Sequence, residues 1–116
     1  MLLVFVLAAC ASGGAGGDPA ETVERYLQAK IDSDRDTVQG LLCAEMERNL
    51  EREVASFSGV DARLEGMECT FDEASSSATC TGEIIATYGT EARSFPLSTY
   101  RVVQEGGEWK WCGEGS

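Results

Sequence analysis

The sequence contains no histidine, and this absence removes the commonest general base at neutral pH. Its five cysteines show no Cys-x-x-Cys spacing, so the usual zinc-binding arrangements are excluded as well. No uninterrupted apolar run approaches the roughly 20 residues that a membrane-spanning helix needs. We therefore predict no catalytic residue, no metal site and no cofactor from the sequence.

Basic residues are scarce, with 9 Lys and Arg against 20 Asp and Glu, which gives a net charge of −11. Phosphate backbones and anionic lipid surfaces repel such a chain, so we expect no nucleic-acid partner and no electrostatic docking to a membrane. Hydrophobic residues nevertheless make up 43% of the sequence and recur periodically after residue 20. This pattern predicts a folded domain rather than a disordered chain.

The N-terminal segment carries an apolar run, residues 2–9, that ends in Leu7-Ala8-Ala9-Cys10. This motif resembles the lipobox of bacterial lipoproteins, in which the cysteine is lipidated and becomes the first residue after cleavage. Eight apolar residues span only about 12 Å as a helix, too little to cross a bilayer. The Gly-, Ala- and Ser-rich stretch 11–17 is typical of a flexible tether. No Lys or Arg precedes the apolar run, so we expect the natural start to lie upstream of Met1.

This resemblance implies how the chain is organised and where it acts. Residues 1–9 are a signal peptide, residues 10–17 are the lipidated Cys10 with its tether, and residues 18–116 are one folded domain. The implied location is a bacterial cell envelope, with the protein anchored outside the cytoplasm by the lipid on Cys10. The membrane, reached through that lipid, is the first expected partner.

Four cysteines remain in the domain, and an even number in a small exported protein indicates two disulfides. A polar turn at residues 73–76 separates two strand-like stretches. In the hairpin register that this turn favours, Cys69 faces Cys80 at a Cα separation of about 4.5 Å, which a disulfide accepts. Cys43 then pairs with Cys112, and this second bridge links the helical half to the last strand.

Helical periodicity dominates the first half of the domain. Asp18 followed by proline predicts a capped helix from Pro19 to Ile31, and the apolar positions that follow predict a second helix ending near Cys43 and a third over residues 46–57.

The segment 32–36 carries three aspartates at alternate positions, an arrangement that resembles the opening of a calcium loop. Such a loop requires a glycine where Thr37 stands and a glutamate where Cys43 stands. We therefore interpret Ser33 or Asp34 as the cap of the second helix.

The second half alternates in the manner of β-strands. A change of parity near Glu65-Gly66 predicts a bulge in the first strand, and Pro96 predicts a sheet edge or a second bulge within the third. The predicted strands cover about residues 60–71, 77–88, 91–104 and 108–112. The fold class is thus α+β, with N-terminal helices packed on a four-stranded antiparallel meander.

This order of elements, together with the closing sequence Gly-Gly-Glu-Trp-Lys-Trp-Cys-Gly at residues 106–113, resembles the nuclear transport factor 2-like superfamily, also called cystatin-like. It is similar in particular to small bacterial lipoproteins of that fold, over about residues 18–113. The resemblance implies a curved sheet that wraps the helices into a cone whose interior can hold a ligand. The superfamily includes isomerases, dehydratases, ligand binders and interaction domains, so the fold leaves the function open.

Two functions are consistent with these observations. The first is a lipid-anchored, non-enzymatic domain that binds a small apolar ligand or an envelope protein; its pocket would be walled by Phe95, Tyr100, Trp109 and Trp111, unless the tryptophans simply fill the core. The second is an envelope isomerase, dehydratase or hydrolase that uses a buried carboxylate as a base, with candidates Asp61, Glu65, Glu68 and Glu83. Enzymes of the superfamily typically place an Asp/His dyad or paired acids in the cone, so the missing histidine favours the first function. The oligomeric state is left open.

The lipobox interpretation predicts the behaviour of Cys10→Ala. Since no other part of the sequence is expected to have membrane affinity, this variant should take up no labelled fatty acid and should move from the membrane fraction to the soluble fraction. Ser12→Ala, two residues away in the tether, is the control and should remain on the membrane. If Cys10→Ala stays in the membrane fraction, the predicted anchor is wrong.

Overall fold

The computed structural model describes residues 17–115, so the predicted lipidation at Cys10 and the signal peptide lie outside the described residues. The helices are α1 (Pro19–Ile31), α2 (Arg35–Leu41) and α3 (Leu50–Ala55), with a 3-10 helix (Ala44–Asn49) directly before α3. The strands are β1 (Asp61–Asp72), β2 (Ser77–Tyr88), β3 (Glu91–Pro96), β4 (Thr99–Glu105) and β5 (Glu108–Glu114). Within the described residues, no helix is both long enough and apolar enough to cross a membrane.

The first two helices begin at the predicted caps. The Asp18 carboxylate accepts a hydrogen bond from the backbone N–H of Ala20 at 2.9 Å, and proline occupies the first helical position, so the predicted bounds of α1 are confirmed. Asp34 caps α2, because its carboxylate accepts from the backbone N–H of Thr37 at 3.3 Å and from the Thr37 hydroxyl at 2.8 Å.

The prediction of a third helix over residues 46–57 is wrong in part. In place of one continuous α-helix over residues 46–57, the structure has the 3-10 helix followed by the short α3. The start of this segment is held on β5, where the backbone N–H of Cys43 donates to the carbonyl of Trp111 at 3.0 Å. The tighter 3-10 turns connect this fixed point to α3.

The five strands form one antiparallel sheet in the order β1-β2-β4-β5, and β3 pairs with the remaining part of β2. The predicted third strand, residues 91–104, is therefore two strands, and the sheet has five strands rather than four. Pro96 ends β3, since proline has no N–H to continue the ladder. The break is short: Leu97 still donates to the carbonyl of Gly82 at 3.0 Å, and Ser98 still accepts from Cys80 at 2.9 Å.

Strand β2 pairs with β1 on one side and with β3 and β4 on the other, and the pairing register shifts on both sides near Gly82. Towards β1, the pairing passes from Glu65 with Glu83 to Glu68 with Thr81, which is the bulge predicted at Glu65-Gly66. Towards β3 and β4, the three residues of β2 between Thr79 and Glu83 oppose only two, Leu97 and Ser98. Bulges bend strands and increase their twist, so the sheet curves along a line through Gly82.

Both predicted disulfides form. Cys69 and Cys80 are directly opposed in the β1–β2 register, with Cα atoms 4.0 Å apart. Cys43 joins Cys112, 69 residues later, and so ties the chain after α2 to β5. Disulfides at this density are typical of small domains in an oxidising compartment.

The core lies between the helices and the inner face of the sheet. Its centre is a pair of parallel rings, Tyr26 of α1 and Trp111 of β5, whose centroids are 4.0 Å apart with an interplanar angle of 9°. Fully buried aliphatic side chains, Val23, Val38 and Val102, surround this pair. A domain of this size has little surface to bury, so these rings account for a large share of its apolar contacts.

The bend predicts a selective sensitivity of Gly82. Its φ is +99°, and a Cβ at this position would lie 2.6 Å from the carbonyl oxygens of Glu65 and Gly66. Gly82→Ala should therefore lower the free energy of unfolding by about 2–3 kcal/mol. Gly89→Ala is the matched control, because Gly89 also has a positive φ, +66°, but nothing lies within 4 Å of its Cβ position.

Urea unfolding with the disulfides intact measures both variants. In the control, the free energy of unfolding should fall by only about 1 kcal/mol, which is the cost of placing a residue with a side chain in a left-handed backbone conformation. Equal losses in the two variants would contradict the close approach at Gly82.

Candidate ligand-binding cleft

A cleft of about 300 Å³ opens between the helices and the curved sheet. We call this space the cleft throughout. Its lining residues come from α1, the 3-10 helix, α3 and the turn after it, and the four strands β2 to β5: Leu27, Lys30, Met46, Glu53, Phe57, Ile84, Phe95, Pro96, Leu97, Tyr100, Trp111, Gly113 and Glu114. A concave, largely apolar space with a few polar side chains is the usual form of a small-molecule site.

Two aromatic rings lie at the mouth of the cleft. Phe95 of β3 is 38% exposed and contacts Phe57, after α3, edge to face at a centroid distance of 6.0 Å. Deeper in, Ile84 of β2 is buried and directly opposes Phe95 in the strand register. The wall therefore continues from a solvent-exposed ring to the buried core.

Lys30 and Glu53 form an ion pair at the cleft wall. The ammonium of Lys30 lies 3.2 Å from Oε1 of Glu53, and the two side chains are only 21% and 13% exposed. The same oxygen accepts a hydrogen bond from the hydroxyl of Tyr26, which is fully buried. Lys30 also lies 5.9 Å from the ring centroid of Trp111. This polar network joins α1 and α3 behind the apolar surface, where a charge without a partner would be costly.

The two buried tyrosines are held in their neutral form. Burial raises the pKa of Tyr26 above its usual value, and the adjacent Glu53, through its hydrogen bond and its negative charge, raises this pKa further. Burial also raises the pKa of Tyr100, and the charge of Glu114 adds to that effect, while the backbone N–H of Ser98, which donates to the phenol oxygen at 3.1 Å, acts in the opposite direction.

Three of the four predicted pocket residues line the cleft, namely Phe95, Tyr100 and Trp111. Trp109 does not, which corrects the prediction. It lies half-buried against Phe71 of β1, with ring centroids 5.3 Å apart. Both tryptophans point to the inner side of β5. Trp109, two residues before Trp111, nevertheless lies outside the cleft and packs against β1.

The carboxylates predicted from the strands lie away from the cleft. Asp61, Glu65 and Glu68 are exposed, and Glu83 is half-buried and accepts a hydrogen bond from Ser94. The acidic residues that line the cleft are Glu53 and Glu114, and neither was predicted from the sequence.

A signal for Glu53 and Lys30 was present in the sequence. Lys30 follows Tyr26 by four residues, and Glu53 follows Leu50 by three, so each charge stands on the apolar stripe of its helix. Opposite charges on the buried faces of two helices are expected to pair when the helices pack. Only the relative placement of α1 and α3 shows that they do.

The buried indole N–H of Trp111 has no hydrogen-bond acceptor in the part of the chain that the structure describes. Trp111 is 4% exposed, and one face of its ring is covered by Tyr26. A buried donor without an acceptor costs about 1–3 kcal/mol of stability.

A second group of polar side chains surrounds the Cys43–Cys112 disulfide, where the carboxylate of Glu45 lies close to both sulfurs. The sulfurs are bonded to each other and present no thiolate, which is the form of cysteine that binds metals. The group therefore does not have the donors of a metal site.

Comparisons with known proteins show a likeness of fold. No protein-family model matches the sequence, and no curated protein matches it either. Among solved structures, a candidate ketosteroid isomerase from Shewanella frigidimarina superposes with a TM-score of 0.54 at 16% identity, over 83% of this chain and 92% of that one. A de novo designed β-sheet protein, solved by NMR in solution, superposes with a TM-score of 0.52 at 14% identity, over 84% of this chain and 90% of the design.

The expected fold class is thereby confirmed. Three helices followed by a five-stranded antiparallel sheet correspond to the nuclear transport factor 2-like architecture of the ketosteroid isomerase neighbour. Identities of 14–16% show a shared fold and leave the function open.

The Tyr26–Glu53 hydrogen bond predicts a dependence of stability on alkaline pH. Because burial and the adjacent Glu53 raise the folded-state pKa of Tyr26 above the ordinary tyrosine value of about 10, the folded state holds its proton where the unfolded state releases it. The associated stability is complete below pH 10 and is lost as the pH rises above that value. Tyr26→Phe should flatten this alkaline loss and should lower the neutral-pH free energy of unfolding by about 1.5–3 kcal/mol.

Denaturant unfolding at a series of pH values measures both effects. Tyr88→Phe, which changes an exposed tyrosine outside the cleft lining, is the control and should retain the wild-type pH profile. An unchanged profile in Tyr26→Phe would show that the buried phenol does not control alkaline stability.

Proposed function

We propose that this chain is a lipid-anchored domain of a bacterial cell envelope that binds a small, mainly apolar ligand in the cleft without transforming it. The observation that carries the proposal is the cleft itself, an open concavity of about 300 Å³ that continues into the core. This volume lies at the lower end of the range of about 300–1,000 Å³ that is typical of ligand pockets.

The composition of the walls supports binding. Phe57 and Phe95 present apolar rings at the mouth, where exposure of such surface is unfavourable unless something covers it. Inside, Leu27, Ile84 and Trp111 continue the apolar wall. A ligand with an apolar body would cover these side chains.

The arrangement of Glu53 supports a non-enzymatic role. Both donors near this carboxylate, the Lys30 ammonium and the Tyr26 hydroxyl, lie on its oxygen Oε1. They join α1 to α3, so Oε1 of Glu53 has a structural task and only Oε2 could act as a base. The sequence contains no histidine that could share a proton with it.

The anchor in this proposal rests on the sequence motif Leu7-Ala8-Ala9-Cys10 and on the disulfides. Two disulfides are typical of proteins outside the cytoplasm, which agrees with export. The lipid would hold the domain at the membrane surface, and the cleft would meet ligands near that surface. The Cys10→Ala experiment tests this part separately from the cleft.

An isomerase is the second candidate, favoured by the presence of Glu53 at the cleft and by the candidate ketosteroid isomerase among the structural neighbours. In this case Glu53 would move a proton between two carbon atoms of a bound ketone. The test is the isomerisation of a 3-oxo-Δ5-steroid, followed by the ultraviolet absorbance of the conjugated product. Turnover by the wild type that is lost in Glu53→Gln, with unchanged unfolding, would establish the enzyme and overturn the non-enzymatic proposal.

The binding proposal predicts that filling the cleft abolishes binding. The probe is 4-phenylbutanol, a neutral molecule with one ring and one hydroxyl, and its affinity should correspond to a Kd of about 0.1–1 mM, as expected for a ligand of this size. Leu97→Trp places a large ring at the cleft wall and should weaken binding about tenfold or more.

Val103→Trp is the matched control, since Val103 stands on β4 with the opposite parity to the buried Tyr100 and Val102. Titrations followed by amide chemical shifts in NMR report both affinity and location. Absence of saturable shifts at the cleft in the wild type would overturn the proposed function.

A further inference from the structure

The charged groups of the cleft do not cancel. Two carboxylates, Glu53 and Glu114, line it together with one ammonium, Lys30. With both acids ionised, the cleft carries one net negative charge, on a chain whose total charge is −11. Low-dielectric walls strengthen the field of such a charge compared with the same charge in water.

The single ammonium is already engaged. Nζ of Lys30 lies 3.2 Å from Oε1 of Glu53 and is held beside the Trp111 ring. Oε1 also accepts from Tyr26, whereas Oε2 of Glu53 accepts no hydrogen bond from any residue between 17 and 115. Glu53 therefore retains an acceptor for a ligand, and Lys30 has no free charge to offer an anion.

Glu114, at the end of β5, is exposed and forms no ion pair within the described residues. It directly opposes Tyr100, another lining residue of the cleft, in the β4–β5 register, and its charge contributes to the raised pKa of the Tyr100 phenol. A negative charge without a partner thus stands beside an aromatic side chain. This combination is what binding sites for organic ammonium ions use, because the face of an aromatic ring attracts a cation.

We propose that the cleft selects organic cations, namely amines with an apolar or aromatic body, whose ammonium meets Glu53 Oε2 and Glu114 while the body packs against Phe57, Phe95 and Tyr100. This inference rests on the proposed ligand-binding function and adds the charge of the ligand. Anions are repelled by both carboxylates and bind more weakly than neutral molecules. Neutral molecules of the same shape bind through the walls alone.

Three probes of matched shape separate charge from shape: 4-phenylbutylamine, 4-phenylbutanol and 4-phenylbutyrate, which are cationic, neutral and anionic at pH 7. Isothermal titration calorimetry should show the amine binding about tenfold more tightly than the alcohol, and the butyrate binding more weakly than both. The advantage of the amine should shrink as the salt concentration rises, since screening weakens the attraction.

Neutralising the two carboxylates tests their role. Glu114→Gln keeps the size of the side chain and should remove most of the preference for the amine over the alcohol. Glu53→Gln should do the same, and because Glu53 also supports Tyr26, its unfolding is measured in parallel. Glu73→Gln changes the net charge equally, at an exposed turn outside the cleft lining, and should retain the full preference.

The outcomes are distinguishable. If the alcohol binds and the amine binds no more tightly, the cleft binds ligands but the inferred cation selectivity is overturned. If none of the three probes binds, the proposed function fails together with this inference. If the preference for the amine persists in Glu114→Gln and in a folded Glu53→Gln, or is lost equally in Glu73→Gln, the assignment to these two carboxylates is wrong.

Discussion

The close backbone approach at Gly82 is the constraint on which the cleft depends. A carbonyl of the β1 bulge occupies the space that any side chain at this position would need. On the other side of β2, the hydrogen-bonded pairing with β3 ends at Pro96, and the pairing with β4 begins with its register shifted by one residue. Two irregularities at one point bend three neighbouring strands together. The bend turns the β3 end of the sheet towards α3, and the space between them is the cleft.

The second constraint is the contact between α1 and β5, where Tyr26 stacks on Trp111. Two further interactions support this contact. The Cys43–Cys112 disulfide holds the segment after α2 against β5, and in the loop-entropy model a bridge over so long a loop contributes about 4 kcal/mol. The Tyr26 hydroxyl, bonded to Glu53, fixes α3 in turn. The same side chains thus form the centre of the core and the wall of the cleft, so its shape and the stability of the domain are coupled.

Particular residues show how far the sequence predicted the fold and the site. The bounds of α1, the bulge at Gly66, the hairpin register and the Cys69–Cys80 pairing follow from local patterns, because caps, parity and turn length act over a few residues. The Cys43–Cys112 pairing then followed by elimination. The break of the third strand at Pro96 was foreseen as an irregularity but not as a division into two strands. Of the four residues predicted to wall a pocket, Phe95, Tyr100 and Trp111 line the cleft and Trp109 does not. Neither cleft carboxylate was among the predicted acids: Glu53 lies on a helix, and Glu114 lies beyond residue 112, where the last strand was predicted to end.

By itself the sequence determined the succession of helices followed by strands, the acidic character, the lack of histidine and the pairing of the cysteines, since these depend on composition and on neighbours along the chain. It did not determine the 3-10 helix before α3 or the division of the third predicted strand into β3 and β4. Only the tertiary structure decided that Lys30 and Glu53 meet, that Trp111 rather than Trp109 faces the cleft, and that the interior is not completely filled. These features depend on the angle between helices and sheet, which results from the bend at Gly82 and from packing between residues far apart in sequence. No local pattern encodes that angle, because it is the sum of contacts that exist only once the chain has folded.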